Sequence, residues 1–420
     1  MTDSFGKRLR RVLIIVENLP VPFDRRVWSE ATTLRNAGYE VSVICPKGPR
    51  AQASHEVIEG IHVFRHPLPL EARGASGYLI EYGTALFWEF ALAWRVLFTR
   101  GFDAIHACNP PDLIFLVGGF FKLFFRKRFL FDQHDINPEL YEAKFGRRDL
   151  AWRALMLAER LTFATADVAI ATNESYRRIA LDRGKMDPDR VFVVRSGPNL
   201  DRVKESPADP TWRKGRAHMV AYIGVIGGQE GLDLLLEAVD HVIRVKKRHD
   251  IQFVVMGSGP ELATVQGLSN RMGLDEYVTF TGRVDDSTLF TVLSTADLCV
   301  NPDRFNEMND KSTMNKIMEY MALAKPIVQF DLTEGRVSAQ DASVYAKRND
   351  PADFGDQVVS LIDDPERRRQ MGEFGRRRVH DELAWPHEAP KLLVAYEALF
   401  SGQQKGLRNS AGRSSGSATA

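Results

Sequence analysis

Ser312-Thr-Met-Asn-Lys-Ile-Met-Glu-Tyr-Met-Ala-Leu-Ala-Lys-Pro326 runs straight into Ile327-Val-Gln-Phe330, and the pair reads as a helix feeding a strand. Ser312 or Thr313 can cap the helix start, and Pro326 forbids its continuation. At 3.6 residues per turn, Met314, Ile317, Met318 and Met321 share one side, and Lys316, Glu319, Tyr320 and Leu323 the other. The apolar, β-favouring run that follows has the length of a buried strand. Two readings of the charged pair stand open at this point. Lys316 and Glu319 are ligand contacts on a platform helix, or they form an i, i+3 ion pair on an ordinary surface.

The chain on either side decides the fold. Val12–Val16 is a strand, Glu17 to Trp28 a loop leading into a helix that reaches about Ala37, and Glu40–Cys45 a second strand after Gly38. Strand, helix, strand in so few residues is a βαβ unit, which favours a parallel sheet with right-handed crossovers. Strands over Ile61–Arg65, Asp103–His106, Phe129–Asp135, Asp167–Thr172 and Arg190–Arg195 continue the series. The third of these carries His134 and Asp135 at its C-terminal end, where open α/β sheets collect ligands. Glu205–Gly215 is polar and proline-bearing, as a linker is. A second series follows: Met219–Gly224, a glycine-rich turn Val225–Gly231, a helix from Leu232, Ile251–Met256, Val278–Arg283 and Asp297–Val300. The fold class is therefore α/β, with two doubly wound, Rossmann-like halves facing across a cleft. The expected bounds are 1–204 and 205–384, with a helix at 385–400 completing the first half and a disordered Ser/Gly-rich tail at 401–420.

The totals agree with this division. At 420 residues the chain exceeds one compact core. A net charge of +1 gives nucleic acid no general purchase. Cys45, Cys108 and Cys299 are scattered and read as buried thiols of a reducing cytosol. Lys7-Arg-Leu-Arg-Arg-Val-Leu-Ile-Ile-Val16 begins like a signal peptide, but its apolar run stops at Glu17, too soon for one. The aromatic helix Gly77–Thr99 is long enough to span a bilayer, yet Glu81, Glu89 and Arg95 interrupt it. A core helix of the first domain is the first reading, a helix lying in a membrane surface the second. Phe120-Phe-Lys-Leu-Phe-Phe-Arg-Lys-Arg128 admits two readings, a seat on anionic headgroups or an apolar helix face followed by a solvated turn.

No G-x-G-x-x-G follows the first strand, where Glu17-Asn-Leu-Pro-Val-Pro22 stands, so NAD is disfavoured, and no P-loop is present. Asp187-Pro-Asp189 has the form of the acidic pair of metal-dependent sugar transferases, but turn chemistry before a strand explains it better. No metal and no cofactor is expected.

Lys316-Ile-Met-Glu-Tyr-Met-Ala-Leu-Ala-Lys-Pro-Ile-Val328, with the linker and the glycine loop, resembles the donor-binding helix and strand of the family-4 retaining glycosyltransferases, which have the GT-B fold. Met256-Gly-Ser-Gly-Pro-Glu261, Phe280-Thr-Gly-Arg-Val284 and Ser294-Thr-Ala-Asp297 add to the resemblance, which covers nearly the whole chain to about Phe400. Glu17 to Trp28 is similar to a subgroup that builds bacterial surface polysaccharides. The resemblance implies a nucleotide-sugar donor in the second half and an acceptor glycan, lipid-linked, in the first. It implies that Glu319 binds the ribose hydroxyls, as a carboxylate accepting two hydrogen bonds can. Arg283 would lie near the base, and the Gly224–Gly231 loop, with Gly227 and Gly228, would offer N–H groups to the diphosphate. His134 would face the donor sugar as the catalytic group. The family retains anomeric configuration without an obvious enzyme nucleophile, so leaving-group stabilisation is the main demand.

This chain departs from that pattern in three places. The family's paired glutamates stand eight apart, and the partner of Glu319 would be Lys311, beside Asp310. Val225 and Glu230 stand where the glycine loop usually carries Arg and Lys. Lys316 is then the first candidate cation for the diphosphate and Arg336 the second. A glycine-rich acceptor loop is also missing, so Arg25 and Arg26 either meet an acceptor phosphate or form surface ion pairs. The leading expectation is a glycosyltransferase in the cytoplasm, peripheral on the inner face of the cell membrane. A GT-B sugar-nucleotide epimerase and a non-catalytic nucleotide- or partner-binding protein are the alternatives.

Overall fold

The computed structural model describes residues 9–48, 51–67 and 75–411, and side-chain surroundings within them except at 75–82 and beyond 401. The basic start at Lys7, the side chains of Tyr78 to Tyr82 and residues 412–420 of the expected tail therefore lie outside the described residues. The chain divides into two compact units. The first comprises Met1–Pro138, Arg147–Arg195 and Glu388–Ala420, the second Glu139–Gly146 and Ser196–His387.

In the first unit, β1 (Arg11–Ile15), β2 (Glu40–Pro46), β3 (His55–Ile58), β4 (Ile61–His66), β5 (Ala104–Cys108), β6 (Arg128–Gln133), β7 (Val168–Ala171) and β8 (Val191–Val193) form one sheet. Its order is β3-β4-β2-β1-β5-β6-β7-β8. Only β3 runs antiparallel, in a hairpin with β4 turned at Glu59-Gly60, both of positive φ. The central strands read as unbroken apolar runs because both faces are covered. Leu13, Ile14, Ile15, Leu130 and Phe131 are fully buried, each stabilising by roughly 1.5–3 kcal/mol. The covering helices include α1 (Arg25–Asn36), capped by the Asp24 carboxylate, α2 (Ala75–Thr99), α3 (Phe115–Phe125) and α5 (Leu150–Thr165), while α4 (Asn137–Phe145) belongs from Glu139 on to the second unit.

In the second unit, β9 (His218–Ile223), β10 (Ile251–Met256), β11 (Val278–Gly282), β12 (Leu298–Asn301), β13 (Ile327–Phe330) and β14 (Ser343–Ala346) form an all-parallel sheet ordered β11-β10-β9-β12-β13-β14. The direction of winding reverses between β9 and β12, as it does between β1 and β5 in the first sheet. At such a switch point the loops leave the carboxyl ends to opposite sides and open a crevice.

The boundary falls nine residues earlier than the linker composition suggests. Residues 196–204 pack on the second unit: Val203 lies in its core, and a Cβ on Gly197 would come 2.5 Å from the Leu383 carbonyl oxygen. The return crossing begins at Glu388, buried and accepting the Arg195 N–H at 2.9 Å. That final helix runs from Trp385 to Ala411, past the expected end at Phe400 and into the stretch expected to be disordered.

Glu89 on α2 gives the sequence argument a different physical meaning. Burial pushes its carboxyl up to about 8, so at neutral pH it is a protonated, inward-facing acid rather than a charge interrupting the helix. No described helix is long and apolar enough to cross a membrane. The unfolded chain loses this proton near the ordinary glutamate value and the folded chain near 8, so the stabilisation is present at acid pH and lost as pH rises through that window. Glu89→Gln is expected to raise the melting temperature at pH 8.5 and leave it unchanged at pH 5. Equal melting shifts at both pH values would remove the explanation.

Candidate active site

The helix opening the sequence argument spans Asn315–Ala322 and is buried on more sides than its periodicity indicates. Tyr320 and Leu323, expected on the less apolar face, are core residues, and the Tyr320 hydroxyl accepts the Ile223 N–H at 2.9 Å. Ser312 does not cap this helix. It ends the preceding short helix Glu307–Lys311 and donates its hydroxyl to the Met308 carbonyl at 2.7 Å, while Met314 stands at the N-cap without a side-chain bond.

Lys316 and Glu319 do not pair with each other. The Lys316 ammonium lies 2.8 Å from Asp303 Oδ1, 3.4 Å from the Tyr222 hydroxyl and 4.8 Å from the centre of that ring. Burial works to strip its proton, but Asp303 and Tyr222 outweigh burial and hold it above the ordinary lysine value. Glu319 Oε1 accepts from Arg202 at 3.1 Å, and Arg202 forks onto Asp286 at 2.7 and 2.9 Å. Asp303 and Asn301 come from the end of β12, Tyr222 from the end of β9 and Glu319 from the helix before β13, so the group gathers at the switch point. Asn301 is fully buried there, with neither amide atom partnered among the described residues.

The glycine loop is shaped by its neighbours. Gly257 has φ +147°, and a Cβ on it would lie 1.8 Å from the Gly224 carbonyl oxygen, so the loops after β9 and β10 meet backbone to backbone. Asn309 Nδ2 and the Arg304 N–H both donate to the Gln229 carbonyl, at 2.9 and 3.1 Å, tying the loop to the segment after β12. Gly227 and Gly228 open the short turn Gly228–Glu230. The Glu230 carboxylate folds back against Gly227, whose Cβ would come 2.7 Å from Oε2, and burial, then Asp303, push it above the ordinary glutamate range. An internal acid therefore stands at the amides of a loop expected to receive an anion.

The remaining candidates are less central. Arg283 follows β11 and is exposed. Arg336 is held by Asp331 at 2.8 Å and lies over the Tyr345 ring at 4.1 Å. Lys311 pairs with Glu307 at 2.6 Å, and Asp310 accepts from Thr333 at 2.9 Å.

In the first unit the switch point holds a second polar group. Arg25 is exposed, whereas the Arg26 side chain is only 8% exposed and lies over Asp132 at 2.8 Å and Glu30 at 3.2 Å. This corrects the surface-ion-pair alternative for Arg26: α1 turns it inward over two buried carboxylates. His134 Nε2 lies 2.6 Å from Asp132 Oδ2 and 3.0 Å from Arg26 Nε. Burial raises the Asp132 carboxyl, but Arg26 and His134 outweigh burial and hold it well below the ordinary range. Asp132 and Arg26 both meet this ring nitrogen and so fix the orientation of the His134 ring from its Nε2 side. The Asn109 Oδ1 fixes the turn by accepting the His134 and Asp135 N–H groups at 2.7 and 3.1 Å.

Behind this pair, His106 bonds the Tyr396 hydroxyl through Nδ1 at 2.8 Å, and burial lowers its affinity for a proton. Burial and the Asp132 charge raise Glu30 well above its ordinary value. Glu30, His106, Cys108 and Asp132 bring donor atoms within 4.8 Å of one another, close enough to surround a cation. Arg26 already supplies the positive charge over both carboxylates.

Sequence reasoning missed Asp303, Tyr222, Arg202, Glu30 and Asp132. Asp132 alone carried a signal, standing two residues before His134 on a strand and so on the same side.

Comparison with known proteins fits this picture. Residues 24–202 match the model described as Glycosyltransferase Family 4, and residues 217–364 the model described as Glycosyl transferases group 1. The chain is 29% identical over 157 residues to an alpha-D-kanosaminyltransferase of Streptomyces kanamyceticus, covering 37% of this chain and 39% of that protein. It is 26% identical over 261 residues to a D-inositol 3-phosphate glycosyltransferase of Geodermatophilus obscurus, covering 59% and 56%. The chain thus spans about half the length of the curated relatives it matches. Among solved structures, a sucrose-phosphate synthase from Thermosynechococcus elongatus superposes with a TM-score of 0.75 at 18% identity, over 94% of this chain and 100% of the other. HepE from Anabaena, solved with UDP-glucose, gives 0.70 at 14% identity, over 92% and 99%. With one domain model on each unit and this fold, the chain belongs to the group 1, family 4 glycosyltransferases of the GT-B fold.

Proposed function

We propose that the protein is a retaining hexosyltransferase that moves a sugar from a nucleotide diphosphate donor to a lipid-linked glycan, in polysaccharide assembly on the inner face of the cell membrane. The observation that carries the reading is the group at the β9/β12 switch point, where Glu319 is oriented by Arg202 and Lys316 is held charged beside the glycine loop. The relatives' names support it, since a kanosaminyltransferase and an inositol-phosphate glycosyltransferase both transfer sugars. In the reaction the bond from the sugar C1 to the diphosphate oxygen breaks and a bond from C1 to an acceptor hydroxyl oxygen forms. The acceptor proton passes to the departing diphosphate. Lys316 meets the charge that develops on that leaving group, and Glu319 fixes the ribose. His134, its ring held by Asp132, makes a hydrogen bond to a sugar hydroxyl and so orients it. The proposal assigns no metal, because lysine and arginine supply the positive charge at both switch points.

UDP-, GDP- and TDP-sugars screened by thermal shift, with product mass read on a lipid-linked acceptor, test this directly. One donor is expected to stabilise the protein and give a product heavier by one hexose. Glu319→Ala should raise the donor KM about 10- to 100-fold, the value of hydrogen bonds to a charged group, with a smaller change in kcat. Silence from every donor in both readouts would sink the proposal.

A further inference from the structure

The geometry points to the outer faces of α2, α3 and α5 as one docking surface for an anionic lipid bilayer. This deepens the membrane part of the proposed function and rests on it for the identity of the surface bound.

The three helices lie side by side on one layer of the first unit. Phe90 and Trp94 of α2 pack against Phe120 and Phe125 of α3, with ring centres 4.9 and 5.1 Å apart. Lys122 of α3 donates to the Thr165 carbonyl at the end of α5 at 2.6 Å. Beneath this layer Phe121 and Phe163 close the core, and the outward faces are left apolar. Phe98 is 78% exposed, Leu123 74%, Phe124 65% and Leu157 58%. Such a concentration of large exposed apolar side chains on adjoining elements marks a contact surface.

Charge identifies what the surface contacts. Arg126 at the end of α3 and Arg153 and Arg160 on α5 are exposed, and their guanidinium groups have no hydrogen-bond or ion-pair partner among the described residues. Among the described residues no free acid answers them from the same faces, and Asp149 at the start of α5 is held by Arg147 at 2.9 Å. Glu89 is buried, Glu159 is buried and held by Arg183, and Asp167 is 3.0 Å from Lys122. Unpaired arginines around exposed Phe and Leu fit a plane that is negative at its surface and apolar just beneath it, as an anionic bilayer is. A second protein chain would answer these arginines with matched acids at fixed points. A second copy of this chain brings only more arginine to the same face.

The test is sedimentation of the full chain with vesicles of phosphatidylcholine containing about one-third phosphatidylglycerol, without any nucleotide sugar. Binding is expected to these vesicles and not to pure phosphatidylcholine. Neutralising Arg126, Arg153 and Arg160 to Ala should weaken it about five-fold per residue. Leu123→Glu with Phe124→Glu should reduce it to the pure phosphatidylcholine level. All of these side chains are exposed, so the variants should fold, and donor thermal shifts on the same samples confirm it. Equal binding to both vesicle types, unchanged binding by the variants, or a lipid-free dimer dissolved by Leu123→Glu would each overturn the inference. Because the readout contains no donor and no acceptor, its failure leaves the transfer reaction to be judged separately.

Discussion

Lys316→Met will cost the protein its transfer activity and about 3–5 kcal/mol of stability, the range found when one member of a buried ion pair is removed. The side chain is only 11% exposed and its partner Asp303 only 2%, so the remaining carboxylate cannot recover its lost partner in water. It must take up a proton or stay charged against Glu230 and Tyr222, both of which already face it. Activity falls for a separate reason. With Val225 and Glu230 in the loop, Lys316 is a fixed cation at the β9/β12 switch point, and losing a preorganised donor to developing charge costs about 10²–10³ in kcat. The two effects separate in the double variant Lys316→Met/Asp303→Asn. Urea unfolding should show much of the stability restored, because no bare charge remains buried, while kcat stays low. A double variant that recovers turnover along with stability would reduce Lys316 to a structural ion-pair partner.

How much of this was legible in the sequence depended on whether a feature is periodic or solitary. The two sheets were legible because β1, β6, β9 and β10 each carry an unbroken apolar run, as strands covered on both faces tend to. β3 was not, since His55-Glu-Val-Ile58 is an edge strand of alternating exposure held by its hairpin partner β4. The helix at Asn315–Ala322 was placed correctly but its faces were not, because packing buries Tyr320 and Leu323 beyond what an amphipathic pattern allows. At the site, residues on a recognisable helix were found and their partners were not. Asp303 and Arg202 stand 13 residues before Lys316 and 117 before Glu319, in segments with no pattern of their own. Arg26 illustrates the same limit. Beside Arg25 it reads as one of a surface pair, and only the fold, which brings Asp132 of β6 to 2.8 Å from it, turns it inward.

His134→Ala will lower kcat by about ten-fold, the value of one lost orienting hydrogen bond. Asp132→Asn is the sharper variant. It keeps the shape beside His134 but removes the charge that anchors the ring and leaves Arg26 over the raised Glu30 with weaker compensation. Asparagine can turn either its oxygen or its amide to the ring, so a single ring orientation is no longer enforced. Turnover should fall about ten-fold, the value of one hydrogen bond that is no longer aimed. Stability is also expected to drop by about 3–5 kcal/mol. Rates must therefore be measured well below the variant's melting temperature, where the folded fraction is complete. Loss of stability with an unchanged kcat in the fully folded variant would mean that Asp132 serves the fold alone.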